Sequence, residues 1–281
     1  MQVSDLNYFS VLISLYYKED PLFLDQCFES IWNDQTIKPS EIILVLDGPL
    51  GNLLQQRVVF WENMIGKKLK VILLPQNMGL ARALNEGLKH CSNDWVFRMD
   101  TDDICTPDRF EKQVAFIQEN PDIVLFSGQV IEFDQDISNA SILKAVPVGF
   151  EEIKKFAQKR CPFNHMAVAY RKSIIEELGS YQHHLFMEDY NLWLRVIGAG
   201  YKVGNLTDVI VYARVGNGMH ARRKGFQYIK SEKQLRDLKK QLKLQSAFHA
   251  NMLFVVRSMF RLMPTTLLST IYNMFLRKRT K

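Results

Sequence analysis

The chain has 281 residues, 47% hydrophobic and 23% charged, enough for one large α/β domain plus an appendage. Its four cysteines, Cys27, Cys91, Cys105 and Cys161, show no CxxC or metal-finger spacing; they read as reduced, buried residues of a cytosolic protein. The net charge of +6 hides an asymmetry: from Gly216 onward 15 Lys and Arg face 2 Asp and Glu, and that +13 leaves −7 for residues 1–215. An acidic body therefore carries a basic tail, and the two meet different partners. The start, Met1-Gln2-Val3-Ser4-Asp5, lacks the basic region of a signal peptide. No apolar run approaches the ~20 residues that span a bilayer. The expectation is a protein neither exported nor membrane-spanning.

Taken in chain order, Tyr8 to Tyr16 predicts a first strand, leading through Tyr17-Lys18-Glu19-Asp20-Pro21 into a helix. Glu41 to Leu46 predicts a strand that ends in Asp47 and a Gly48-Pro49 break. Lys70 to Leu74 predicts another, before the loop Pro75-Gln76-Asn77-Met78-Gly79. From Leu80 the spacing of Leu80, Leu84 and Leu88 with Ala81 and Ala83 is helical, and Arg82 lies in the first turn. A cation there opposes the helix macrodipole, so its partner is either an anion such as a phosphate or plain solvent.

Trp95-Val96-Phe97 predicts a buried strand running into Arg98-Met99-Asp100-Thr101-Asp102-Asp103. After it, Thr106 is expected as N-cap of a helix with Pro107 at its first position. Three carboxylates thus sit at a strand end, where open α/β sheets bind ligands. Packed this closely they repel one another, and a hard divalent cation bridging substrate phosphates would relieve that repulsion. A polar loop with an Asx-turn satisfies the same four residues.

Ile123 to Phe133 predicts one long strand, with Gly128 as a bend or a close approach. Cys161-Pro162-Phe163-Asn164-His165 precedes another predicted strand, Met166 to Tyr170. His165 can serve phosphate, metal or acceptor, or be structural. Glu188-Asp189 opens a helix containing Leu192, Trp193 and Val196, where the dipole favours acids in any case. The tail divides into a charged helix, Lys224 to Leu244, with Phe226, Ile229, Leu235, Leu238 and Leu242 as its apolar stripe, and an apolar stretch, Phe248 to Leu276, interrupted by Arg257, Arg261 and Pro264. The end is Arg277-Lys278-Arg279-Thr280-Lys281. Such a segment suits an anionic membrane surface; packing on the body is the alternative, and no nucleic-acid motif appears, so no nucleic-acid partner is expected.

Asp47, the run Gln76 to Asn85, the Asp100-Thr101-Asp102-Asp103 turn and Met187-Glu188-Asp189-Tyr190-Asn191-Leu192-Trp193 together resemble the ordered signatures of family 2 glycosyltransferases, from about Phe9 to Tyr212. The resemblance implies the GT-A fold, a Rossmann-like α/β domain with a mostly parallel central sheet and flanking helices, here followed by a helical basic appendage. Residues 1–215 are expected as the catalytic domain, with a nucleotide-sugar half about 1–105 and an acceptor half about 106–215. Residues 216–281 are expected as the membrane-surface region.

The resemblance further implies inverting, metal-dependent transfer, with Asp189 as base and Glu188 as an orienting or acceptor-binding group. Mn2+ or Mg2+ would be held by Asp102 with Asp100 or Asp103. Arg82 would be a second cation for the diphosphate, and Asn77, in the loop ahead of it, a further nucleotide-sugar contact. Ser14, Tyr16 and Asp47 would line the base pocket, and Asp100 or Asp102 would reach the ribose. His165 and Trp193 are candidate acceptor or phosphate contacts. The chain lacks the QxxRW motif of processive members, which favours single transfer. The implied partners are a UDP-sugar, with galactose slightly favoured, and an undecaprenyl-diphosphate-linked saccharide of O-antigen or capsule synthesis. The implied location is the inner face of the plasma membrane. A sugar nucleotidyltransferase would use clustered acids too, but with a Gly-rich basic loop where Ser14-Leu15-Tyr16-Tyr17 stands. A non-catalytic sugar or lipid-carrier binding protein would not need both Asp102 and Asp189.

Overall fold

The computed structural model describes residues 8–134, 136–215, 226–262 and 278–279. The chain enters at β1 (Ser10–Leu15) and turns at Asp20, whose carboxylate accepts from Leu22 N at 2.8 Å and caps α1 (Pro21–Phe28). Pro21 takes the first helical position, where a missing N–H leaves nothing unpaired. β2 (Glu41–Leu46), α2 (Asn52–Ile65), β3 (Leu69–Leu73), α3 (Leu80–His90) and β4 (Trp95–Asp100) continue a strand–helix alternation. These four strands pair in parallel, in the order β3-β2-β1-β4.

β2 is Glu-Ile-Ile-Leu-Val-Leu and is buried throughout, as a parallel strand covered on both faces must be. Its side chains alternate between two cores. Val11, Ile13, Ile42, Leu44 and Phe97 pack with Leu24, Phe28, Val58 and Trp61 of α1 and α2. Leu12, Ile43, Val45 and Val96 pack on the other face with Leu84 and Leu88 of α3. Helices thus cover both faces of one sheet.

After β4 come the two-residue β5 (Ile104–Cys105), α4 (Arg109–Glu119) and β6 (Ile123–Phe133). Next are β7 (Ile142–Lys144), α5 (Phe150–Ala157), β8 (Ala169–Arg171), α6 (Lys172–Glu177), α7 (Glu188–Gly198) and β9 (Lys202–Arg214). The sheet runs on from β4 through β8, β6 and β7, with β8 antiparallel to both neighbours. β9 pairs parallel with β6 and antiparallel with β5. Helices α8 (Phe226–Gln241) and α9 (Ala247–Leu262) form an appended hairpin, and β10 (Lys278–Arg279) pairs with β7.

Most predicted strands and helices stand where expected, and three differ: the Thr106 cap, the strand from Met166 and the inward face of the first tail helix. Thr106 and Pro107 do not open a helix: Ile104 and Cys105 pair with Tyr212 and Val211, which holds the chain extended, and α4 starts at Arg109. Met166 to Tyr170 is a short 3-10 turn over His165–Ala167 followed by a strand from Ala169. Gly128 is a close approach, since a Cβ there would lie 2.5 Å from Ile210 Cγ1, and the β6–β9 register shifts between Ser127 and Gln129. In the tail, Phe226 is 83% exposed while Tyr228, Ser231, Glu232, Leu235 and Lys239 face inward. Residues 216–225 and 263–277, with 280 and 281, which complete the expected basic segment, lie outside the described residues.

Lys239 shows what docking α8 costs. It is 2% exposed, donates to Gln158 O at 2.8 Å and lies 4.8 Å from the Tyr190 ring. Burial, then the Arg257 charge, pulls its pKa from 10.5 to about 7. The folded chain therefore releases this proton near pH 7 while the unfolded chain keeps it until about pH 10.5, so this group makes stability rise with pH across that window. Lys239→Met, which removes the buried charge, should gain about 1 kcal/mol over wild type at pH 7. The gain should shrink towards pH 10, as denaturant titrations of both proteins at several pH values would record.

Candidate active site

The strand order reverses between β1 and β4, and the C-terminal ends of these strands form the crevice where α/β sheets bind ligands. Ser14 and Asp100 are register partners there, and Tyr16, 39% exposed, follows β1 at its rim. Asp47, at the end of β2, is 3% exposed, and its two oxygens accept from Met78 N at 2.6 Å and Gly79 N at 3.0 Å. Both of its oxygens thus hold the loop ahead of α3. Asn77 Nδ2 donates to Asp47 O at 3.3 Å. Arg82 is exposed in the first turn of α3, a helix whose N-cap, Gly79, offers no side chain.

Asp100, Asp102 and Asp103 bring carboxylate oxygens within 4.8 Å of one another. Burial, then Asp100 and Glu19, raises the Asp102 pKa from 3.8 to about 7. Asp103 is raised as well, by burial, Asp100 and Asp102. Glu19 is a fourth acid in the group: burial raises it, and it accepts from Thr101 Oγ1 at 2.8 Å. Two cations answer them. Arg98, 1% exposed on β4, grips Asp100 with both terminal nitrogens, Nη1 to Oδ2 at 2.6 Å and Nη2 to Oδ1. Burial works against its charge, but Asp100, Tyr181 and Asp103 outweigh burial and raise its pKa. Arg214, at the end of β9, donates its backbone N–H to Asp103 Oδ1 at 2.8 Å and its Nε–H to the backbone carbonyl of Asp102 at 3.1 Å, and its charge lies in the field of both acids.

One oxygen stays unanswered: Asp103 Oδ2 is buried without a hydrogen-bond partner. An orphaned carboxylate oxygen among acids with raised pKa values fits a hard divalent cation, which takes oxygen ligands and favours the ionised form. Sequence reading missed Arg98, Glu19 and Arg214. Arg98 carried a signal, being a charged residue two before Asp100 on an apolar strand and so on the same face. Arg214 lies 111 residues from Asp103 and carried none.

Glu188 and Asp189 form the first turn of α7. Burial, and the neighbouring Asp189, raise the Glu188 pKa. Cys161 Sγ lies 3.8 Å from Asp189 Oδ2; burial, then that carboxylate, keeps it a thiol. The two sides share a field, since Tyr181 feels Arg98, Asp189 and Asp100, and Glu188 feels Arg98. His165 Nε2 pairs with Tyr181 Oη at 2.9 Å, and burial, Arg98 and Lys144 hold the imidazole neutral. Trp193 is wholly buried, its ring 6.0 Å from His165. An acceptor cannot reach it, so the expected acceptor contact is corrected to a floor beneath His165 and Tyr181.

Residues 10–179 match the family described as Glycosyl transferase family 2. The chain is 46% identical to the amylovoran biosynthesis glycosyltransferase AmsE of Erwinia amylovora, over 94% of this chain and 98% of that protein. It is 35% identical to the UDP-Gal:alpha-D-GlcNAc-diphosphoundecaprenol beta-1,3-galactosyltransferase of Escherichia coli, over 98% of both. Among solved structures, the mannosyltransferase PcManGT from Pyrobaculum calidifontis, in complex with GDP-Man and Mn2+, superposes with a TM-score of 0.65 at 17% identity, over 95% of this chain and 75% of that one. The fold is GT-A.

Asp102→Ala is expected to abolish Mn2+-dependent binding of UDP while leaving the thermal transition in place. Calorimetric titration of UDP with and without Mn2+ checks it; a variant with unchanged metal dependence removes Asp102 from the metal site.

Proposed function

The chain belongs to glycosyltransferase family 2, and from that premise we propose that it moves a hexose, galactose before others, from a UDP-sugar to a hydroxyl of an undecaprenyl-diphosphate-linked saccharide in bacterial surface polysaccharide synthesis. The observation that carries this reading is the orphaned Asp103 oxygen in a three-acid cluster at a strand end, in a chain that also opens α7 with two acids. The names of the two relatives supply the substrate class. In this reading residues 1–105 serve the donor, 106–215 the acceptor and 216–281 the membrane surface.

Asp102 and Asp103, with Asp100 beside them, would hold Mn2+ or Mg2+, which when bound neutralises charge on the departing diphosphate. Arg98 keeps Asp100 fixed, so this carboxylate meets the donor in one orientation. Ser14 and Tyr16 border the nucleotide, over the loop that Asp47 and Asn77 lock, and exposed Arg82 offers a second positive charge to the phosphates. Across the crevice Asp189 accepts the proton of the acceptor hydroxyl as that oxygen attacks the anomeric carbon. The bond to the diphosphate breaks on the opposite face, and the configuration inverts. Glu188, with its raised pKa, is suited to hydrogen-bonding the acceptor. Neutral His165 adds a polar edge without charge.

No helix among the described residues is long and apolar enough to cross a membrane. The support for a peripheral site on the inner face lies in α9. Its Arg257 and Arg261 turn inward to Glu232, while Phe248, Met252, Val255, Val256, Met259 and Leu262 face outward, 43–74% exposed. Lys230, Lys233 and Lys240 of α8 are exposed for anionic head groups.

Asp189→Asn should leave Mn2+-dependent UDP binding intact and lower transfer ~10²–10⁴-fold; near-normal turnover would move the base to another residue. Val255→Asp combined with Met259→Asp should weaken binding to anionic vesicles at least ~10-fold, because each apolar side chain withdrawn from lipid forfeits roughly 1.5–3 kcal/mol. Vesicle sedimentation at low and high salt measures this, and wild-type protein that ignores such vesicles ends the membrane assignment.

A further inference from the structure

The residues just ahead of Glu188 and Asp189 are held by the tail as well as by the catalytic body. Phe186 stands at φ +65°, a left-handed conformation that a bulky residue keeps only when its surroundings over-determine it. Its ring stacks on Tyr228 of α8, with centroids 4.9 Å apart and 6° between the planes. Ser231 Oγ donates to Leu185 O at 2.7 Å, and Gln234 Nε2 donates to His183 O at 3.0 Å. His184 is 1% exposed and meets Ser231 O through Nε2 at 2.9 Å. A carbonyl can only accept, so Nε2 carries the proton, and Nδ1 accepts from Asn191 Nδ2 at 3.2 Å. Four consecutive residues thus each touch α8. The turn then closes at once: Met187 N donates to His184 O at 2.8 Å, and α7 begins at the next residue.

α8 is itself pinned by α9. Glu232, 2% exposed, takes Arg257 and Arg261 at 2.9 Å each, and the Arg261 guanidinium lies 4.2 Å from the Tyr228 ring. Removing one partner of a buried ion pair leaves the other charge uncompensated, so the two helices hold together as one body. The donor cluster is tied differently, by Arg98, Glu19 and Arg214, none of which lies on the hairpin.

We infer that the α8–α9 hairpin positions the acceptor side of the site, with Tyr228 and Ser231 as positioning residues. By gripping the 183–186 segment they fix where α7 starts, and with it the placement of Glu188 and Asp189. The inference rests on Asp189 being the base. Losing the grip lets the strained turn relax, and a small displacement of a catalytic group is costly to transfer. Donor binding, built on β4 and the loop after it, is left alone.

The test uses the full-length protein with Mn2+ and UDP for binding, and UDP-galactose with a GlcNAc-diphosphate-lipid analogue for transfer. Tyr228→Ala should keep UDP affinity within about twofold while kcat/KM for the acceptor falls on the order of 10–100-fold. Amide hydrogen exchange over 183–189 should rise, and Tyr228→Phe, which keeps the stack, should restore wild-type transfer. Because Tyr228→Ala removes a buried ring, Ser231→Ala with Gln234→Ala is measured beside it. That pair deletes the hydrogen bonds without removing a buried ring and should show the same split at smaller amplitude; if Tyr228→Ala does not fold, it decides alone. Transfer at the wild-type rate in a folded variant, or UDP affinity falling in parallel with transfer, overturns the inference. Wild-type protein that neither binds UDP with Mn2+ nor transfers sinks the donor assignment instead. The grip is then judged by exchange over 183–189, where unchanged protection in the variants overturns it.

Discussion

A guanidinium buried beneath three carboxylates is the constraint on which the crevice depends. Arg98 lies in the middle of a sheet strand, out of water, where an unpaired charge would be costly. Asp100 meets it with both oxygens, two residues further along the same strand face. That leaves Asp102 and Asp103 to crowd each other in a pocket where burial already disfavours their charge. One cation inside the sheet and one at the end of β9 do not satisfy every oxygen, and the orphan belongs to Asp103. The loop is kept in this unfavourable state by pairing of Ile104 and Cys105 with β9, which prevents the acids from swinging apart into solvent. The cluster presents the all-oxygen donor set that a hard cation takes.

The two sides of the crevice are held by different means. The side that carries the three acids stands on parallel strands whose side chains fill two cores, and its polar groups branch directly from strand ends. The side that carries Glu188 and Asp189 stands on the first turn of α7, whose entry is a short strained turn, and the tail hairpin grips that turn through side chains. Between them lie Tyr181, neutral His165 and the buried Trp193, a layer of rings that carries no net charge across the gap.

α9 inverts the usual arrangement of a surface helix. Its arginines are spent on Glu232 and its apolar residues are left outside. The inner charges hold α9 against α8, and the outer face leaves a run of apolar side chains uncovered among the described residues.

The sequence by itself determined the strand–helix alternation, the order of the motifs and the three acids at a strand end. These follow from local periodicity and from turn chemistry, which act over a few residues. It also placed Glu188 and Asp189 at a helix start, because N-terminal acids have a local electrostatic reason to be there. Tertiary structure decided the rest. Asp47 took the Met78 and Gly79 N–H groups of the loop, Trp193 sank into the core, and Thr106 lost its cap because β9 pairs with the residues before it. Arg214 reached the acids, and Tyr228 reached Phe186, across separations that no local pattern encodes. Periodicity tells which face of an element is apolar; which distant element meets that face is settled only when the whole chain buries its surface together.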